Sequence, residues 1–217
     1  FSFSLWGAEP KVVSRDKLQF REKGGRKLAY LPNQENPFTG KVVDFHPNGQ
    51  KRLEGNYKNG KWDGLRTEWY KNGQKKGEVN VKDGKKYGLL SLWYENGQKE
   101  EEANFKDGKN YGLQTIWYRN GQKQEEGNFK DGKRNGLWTV WHENGQKKNE
   151  GNFKDGKRDG LWLTLHDNGQ KNDEGNWKDG KMDGLHVKWY PNGKKNQEVN
   201  YKDGKTNGLL ALWHDNG

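Results

Sequence analysis

The sequence predicts an all-β protein, an elongated, twisted, single antiparallel meander of 24-residue β-hairpin repeats. Three observations carry this. Asn-Gly recurs at Asn48-Gly49, Asn72-Gly73, Asn96-Gly97, Asn120-Gly121, Asn144-Gly145, Asn168-Gly169, Asn192-Gly193 and Asn216-Gly217, always 24 residues apart. A second series, Asn59-Gly60, Asp83-Gly84, Asp107-Gly108, Asp131-Gly132, Asp155-Gly156, Asp179-Gly180 and Asp203-Gly204, keeps the same 24-residue step. Between the two series lie short runs rich in aromatic and β-branched residues, and Asn-Gly or Asp-Gly between such runs is the strongest local hairpin signal. The glycines interrupt too often for about ten uninterrupted helical residues.

Taken in order, residues 1–10 (Phe1 to Pro10) run from an apolar stretch into small residues at Gly7 and Ala8. They are expected to be the remnant of a secretory signal, which makes the protein secreted, periplasmic or cell-surface. Residues 11–39 depart from the period; Leu18, Phe20, Leu28 and Tyr30 around Gly24-Gly25 predict one irregular hairpin that caps the first repeat. Residues 40–207 hold seven full repeats, each opened by a third glycine at 40, 64, 88, 112, 136, 160 and 184. Residues 208–217 begin a truncated eighth repeat that stops inside a turn. Either more chain follows, or the last strand is an adhesive edge prone to edge-to-edge self-association. No other stretch approaches the ~18 apolar residues of a membrane-spanning helix.

Each repeat reads as two strands, such as residues 65–70 and 75–81. The larger apolar residues of both are odd-numbered (Leu65, Trp69, Val79, Val81). A three-residue loop ending in a left-handed Gly pairs odd with odd, so such loops are predicted in preference to type I′ turns, with Trp69 and Val79 on one face. That face is expected to hold a structural column, Trp69, Trp93, Trp117, Trp141, Trp189 and Trp213, beside the column Tyr57, Val81, Phe105, Phe129, Phe153, Trp177 and Tyr201. The other face carries the columns that start at Glu54, Asn56 and Lys58. It also carries Leu92, Ile116, Val140, Trp138 and Trp162, an expected exposed strip for docking.

Composition agrees with a thin sheet. The 217 residues are 28% hydrophobic, and 31 glycines raise that only to about 42%, below the usual 45–50%. Yet 11 Trp, 9 Tyr and 8 Phe are present, flat side chains able to hold a sheet together without a thick core. The absence of Cys excludes disulfides and thiolate metal sites. A net charge of +10 attracts anions without selecting among them, and the scarcity of Arg argues against nucleic acid.

No catalytic residue, metal site or cofactor is expected. His46, His142, His166 and His214 share one repeat position with Tyr70, Tyr94, Tyr118 and Tyr190. A residue that alternates with Tyr serves as a flat amphipathic group, and copies two strands apart are too distant to share zinc. Lys-Asp-Gly-Lys offers one carboxylate between two ammoniums, a turn and not a calcium loop. GxSxG, HExxH and phosphate-cradling loops are absent. The candidate binding surface therefore comprises Tyr70, Tyr94, Tyr118, Tyr190, His142 and His166, with Trp138 and Trp162, and with Lys106, Lys130 and Lys154 as its charged component. Its expected ligand is an unknown protein partner; the alternative is an anionic lipid or glycan at a cell surface.

The unit NGQKKNEGNFKDGKRDGLW (Asn144 to Trp162) resembles the MORN-type repeat, in particular its second variant, found in bacterial proteins labelled YwqK-family antitoxins. The resemblance covers residues 40–217, and Asn36 to Lys41 looks like the segment that opens such arrays. It implies a non-enzymatic scaffold that contacts proteins or membranes, with no catalytic residues to carry over. The antitoxin label implies neutralisation of a partner toxin. The association of some members with anionic lipids is compatible with the Lys columns here.

Overall fold

A computed structural model describes residues 11–215. The export reading of residues 1–10 and the last Asn216-Gly217 pair lie outside the described residues. The chain forms two compact units, divided between Gly97 and Gln98.

The first unit contains β1 (Val12–Ser14), a 3-10 turn (Arg15–Lys17), β2 (Gln19–Lys23), β3 (Arg26–Tyr30), β4 (Gly40–Phe45), β5 (Lys51–Lys58), β6 (Lys61–Trp62), β7 (Gly64–Trp69), β8 (Lys75–Lys82) and β9 (Lys85–Trp93). From β4 onward the strands meander antiparallel, while β1 lies parallel to β4. Strands β2 and β3 make a separate hairpin. Leu18, Ala29 and Phe38 of the segment before β4 pack on Val42, Leu53 and Tyr57 of the first repeat in a cluster of buried apolar residues. Gly60 ties them down: its carbonyl accepts from the Ala29 N–H and its N–H donates to the Phe38 carbonyl.

The second unit contains β10 (Lys99–Lys106), β11 (Lys109–Trp117), β12 (Lys123–Lys130), β13 (Lys133–Trp141), β14 (Lys147–Lys154), β15 (Lys157–Leu165), β16 (Lys171–Lys178), β17 (Lys181–Trp189), β18 (Lys195–Lys202) and β19 (Lys205–Leu212). Each strand pairs antiparallel with the next. An all-β meander of 24-residue hairpins is thus the architecture in both units. Among the described residues no helix is long and apolar enough to cross a membrane.

The two glycine series make different turns. At Asn72-Gly73 only the glycine has positive φ (85°); Tyr70 N–H donates to the Gln74 carbonyl and Gly73 N–H to the Tyr70 carbonyl, closing the predicted three-residue loop. At Asp83-Gly84 both residues are left-handed (φ 50° and 80°), and Lys82 sits opposite Lys85. This is a two-residue type I′ turn, contrary to the sequence-based expectation. Asp tolerates the left-handed region better than most residues, which admits it here.

The expected face assignment is also corrected. The three-residue loop pairs Trp69 with Lys75, odd with odd, but the next pair is Glu68 with Gly77. Lys76 is an extra residue, a second bulge that shifts all later pairing by one. Val79 therefore lies opposite Arg66, and Trp69 projects to the other side of the sheet from Val79. The second unit shows the same shift at Ile116/Trp117, Val140/Trp141, Thr164/Leu165 and Lys188/Trp189.

Candidate functional site

Two chemically distinct faces result. The first, the ring face, combines even positions of one strand with odd positions of the next. In the second unit it holds Phe129, Trp138, Phe153 and Trp162, joined by T-shaped contacts with centroids 5.1–6.0 Å apart. Trp177, His186 and Tyr201 continue the series at 5.9 and 5.1 Å. Trp138, Trp162 and His186 are seated on Gly127, Gly151 and Gly175, where an added Cβ would fall inside the ring. The Trp162 Nε1–H donates to the Asn152 carbonyl at 3.0 Å, and His186 Nε2 occupies the same relation to the Asn176 carbonyl at 2.9 Å. Arg134 and Arg158 lie over the indoles of Trp138 and Trp162 at 4.0 and 4.2 Å. Trp138 is consequently 2% exposed and Trp162 8%. The expectation that these two form an exposed docking strip is overturned, because a glycine beneath and an arginine above enclose each ring. His186, overlooked as a core residue in the sequence, fills the same seat one repeat later at 5% exposure.

The second face carries Trp69, Trp93, Trp117, Trp141, Trp189 and Trp213. A lysine ammonium stands 5.2–5.9 Å from each indole centroid: Lys51, Lys75, Lys99, Lys123, Lys171 and Lys195 in turn. Each of these lysines also pairs with the glutamate three residues on, from Lys51–Glu54 to Lys195–Glu198. Thr115 and Thr139 donate to Glu126 and Glu150 at 3.1 Å. Hydrogen bonds from Lys41 and Lys51 hold the Glu54 carboxyl below its ordinary range, and one from Lys147 does so for Glu150. The same face presents Leu65 and Leu89 in the first unit and Leu113, Leu137, Leu161 and Leu185 in the second, each 41–51% exposed. Leu137 lies opposite Asn152 and Leu161 opposite Asn176, so a polar column flanks the leucines. Leu65, expected on the structural apolar face with Trp69, is thus 46% exposed, and its counterparts in later repeats are exposed to a like extent.

The Tyr/His position lies at the loop edge and fastens neighbouring repeats. The hydroxyls of Tyr70, Tyr118 and Tyr190 donate to the Trp93, Trp141 and Trp213 carbonyls at 2.8–3.0 Å, each 23 residues on. His46 and His166 Nε2 meet the Trp69 and Trp189 carbonyls at 2.9 Å. Tyr94 opens its loop alike, its carbonyl accepting from Gly97. The loop asparagines add a second rung: Asn120 Oδ1 accepts the Gln122 N–H, and its Nδ2 donates to the Glu143 carbonyl. Asn48, Asn72, Asn168 and Asn192 also reach forward 23 residues. The opposite edge is lined by exposed lysines. Lys106, Lys130 and Lys154 stand directly across type I′ turns from Lys109, Lys133 and Lys157. No group of three or more His, Asp or Glu among the described residues could hold a metal ion.

Six stretches of the chain, residues 38–59, 62–83, 86–107, 110–131, 134–155 and 182–203, match the MORN repeat variant family. No curated protein matches the chain. Such repeats commonly build scaffolds that bind proteins or lipids and are not typically enzymatic. With more than half of its residues covered by these matches, in the 24-residue register of its hairpins, the chain belongs to the MORN repeat variant family.

Proposed function

We propose that this chain is a non-catalytic, extracytoplasmic scaffold that holds a protein partner against the leucine-bearing face of its sheet. The observation that carries the reading is the recurrence of a half-exposed leucine at the same repeat position, at Leu65 and Leu89 in the first unit and at Leu113, Leu137, Leu161 and Leu185 in the second. Isolated exposed leucines are ordinary, but an aligned column is a docking feature. The ring face is a poorer candidate, since its rings are seated on glycines and overlain by arginines. In the first repeat that face also lies beneath the N-terminal cluster. Photo-cross-linking tests the reading. A photoreactive leucine analogue at 137 or 161 is expected to capture one discrete partner in the native cell envelope, while the same group at Arg134 or Arg158 captures none. Capture only from the arginine positions would overturn it.

Toxin neutralisation is the special case in which that partner is a toxin, and it predicts co-purification of the pair from the cell. The second reading, an anionic lipid or glycan, is favoured by the lysine pairs across the Asp-Gly turns. Like charges directly opposite one another repel, and an anion relieves that repulsion. Binding lost steeply with moderate salt belongs to the lysine edge, and binding indifferent to salt to the leucines.

A further inference from the structure

The loop ladder is interrupted at one junction of the second unit. At ordinary junctions the Tyr or His reaches the carbonyl 23 residues on and the loop Asn does likewise. The following Gln lies within 4 Å of where a Cβ on the next loop's glycine would stand, as Gln122 does at Gly145 and Gln170 at Gly193. Between the loops at 142–146 and 166–170 all three links are missing. His142 Nε2 is buried without a hydrogen-bond partner, Asn144 makes only its internal bond to Gln146 N–H, and nothing lies within 4 Å of the Cβ position at Gly169. Leu165 replaces the tryptophan here, so Lys147 keeps its glutamate but has no indole beneath it. The family matches also skip this repeat, passing from 134–155 to 182–203.

A cleft of about 520 Å³ lies at this junction. It is lined by His142, Lys148, Leu165, His166, Asp167 and Asn172. The tyrosines at this position donate through their hydroxyls, and Nε2 of His46 and His166 faces carbonyl oxygens, to which only an N–H is complementary. In that tautomer His142 Nε2 is a buried donor without a hydrogen-bonded acceptor. Asp167 Oδ1 stands 3.3 Å from it, on a side chain that is 91% exposed. A buried donor without an acceptor is costly, and a ligand that supplies one recovers that cost. The Lys148 ammonium, beside the His142 donor, sets the sign of the group that fits.

We propose that this cleft is a binding site for a carboxylate-bearing ligand, which accepts the His142 Nε2 proton donor and pairs with Lys148 in place of Asp167. The site is independent of the leucine-face reading. Its test is an NMR titration of the whole chain with glutarate, using glutaramide and pentane-1,5-diamine as neutral and cationic counterparts. Glutarate is expected to shift the His142 imidazole and Gly169 amide signals saturably while His46, already bonded, stays still. Asp167→Asn removes a competing exposed carboxylate and tightens glutarate binding about three- to fivefold; Lys148→Ala weakens it about threefold. His142→Phe abolishes the shift at Gly169. Asp167 and Lys148 are exposed, so those two variants decide the matter even if His142→Phe fails to fold. Equal responses to glutaramide, a response to the diamine that Asp167→Asn weakens, or no saturable response would each overturn the proposal.

Discussion

In the second unit the two faces of the sheet solve the burial of large apolar groups in opposite ways. On the ring face, size alternates across the strands: Trp138 and Trp162 stand beside Gly127, Gly151 and Gly175, and the rings sink into the space that the missing side chains leave. On the leucine face Leu137, Leu161 and Leu185 each stand beside an asparagine and stay about half exposed. A single-layered sheet can thus make its own core on one side through size complementarity, which leaves the leucines of the other side uncommitted to that core.

Four substitutions or conditions sharpen that contrast, taken from the largest effect downward. Gly151→Val places methyl groups where the Trp162 ring lies. It is expected to cost about 3 kcal/mol by overpacking, read as a lower denaturation midpoint with red-shifted Trp emission. Asn120→Asp keeps the acceptor for Gln122 but loses the Nδ2 donor to Glu143, at about 1 kcal/mol by thermal melting. Asp131→Asn, in a type I′ turn, stays within about 0.5 kcal/mol. Acid should loosen the leucine face. The Glu54 and Glu150 carboxyls titrate below their ordinary range, so their contribution is complete above about pH 4.3 and fades as pH falls through the native values. Melting temperatures at pH 3 and pH 7 should accordingly differ less in Glu150→Gln than in the parent chain. Leu137→Ser should change stability by no more than about 0.5 kcal/mol, while weakening partner capture at the leucine face.

The repeat period, the antiparallel hairpins and the three-residue Asn-Gly loops were legible because Gly and Asn mark their positions in the sequence. The face assignment was not. Lys76 bulges without any residue signature, and one extra residue exchanges the partners of Trp69 and Val79. The Asp-Gly turns were misjudged because both series share a glycine, although from Asp83 onward the distinction is written in the residue before it, Asn59-Gly60 being the exception. Asn120 needs an amide nitrogen to reach the next loop, which Asp cannot supply, whereas Asp131 only has to tolerate φ 52°. The burial of Trp138 and Trp162 had a readable signal in Gly127, Gly151 and Gly175, small residues placed where the cross-strand neighbour is largest. His186 was missed by the same omission. The interrupted junction at His142 was readable only as Leu165 in a tryptophan column.

The forward reach of the loop side chains gives the array a polarity. Each rung is a donor that must find its oxygen 23 residues later, never earlier. An in-frame duplication of one 24-residue unit would insert both a new donor and a new oxygen, leaving every fastening complete and each side chain on its original side. Length can therefore grow by tandem copying without redesign, whereas a shift of even a single residue would unfasten the edge and turn the rings outward together.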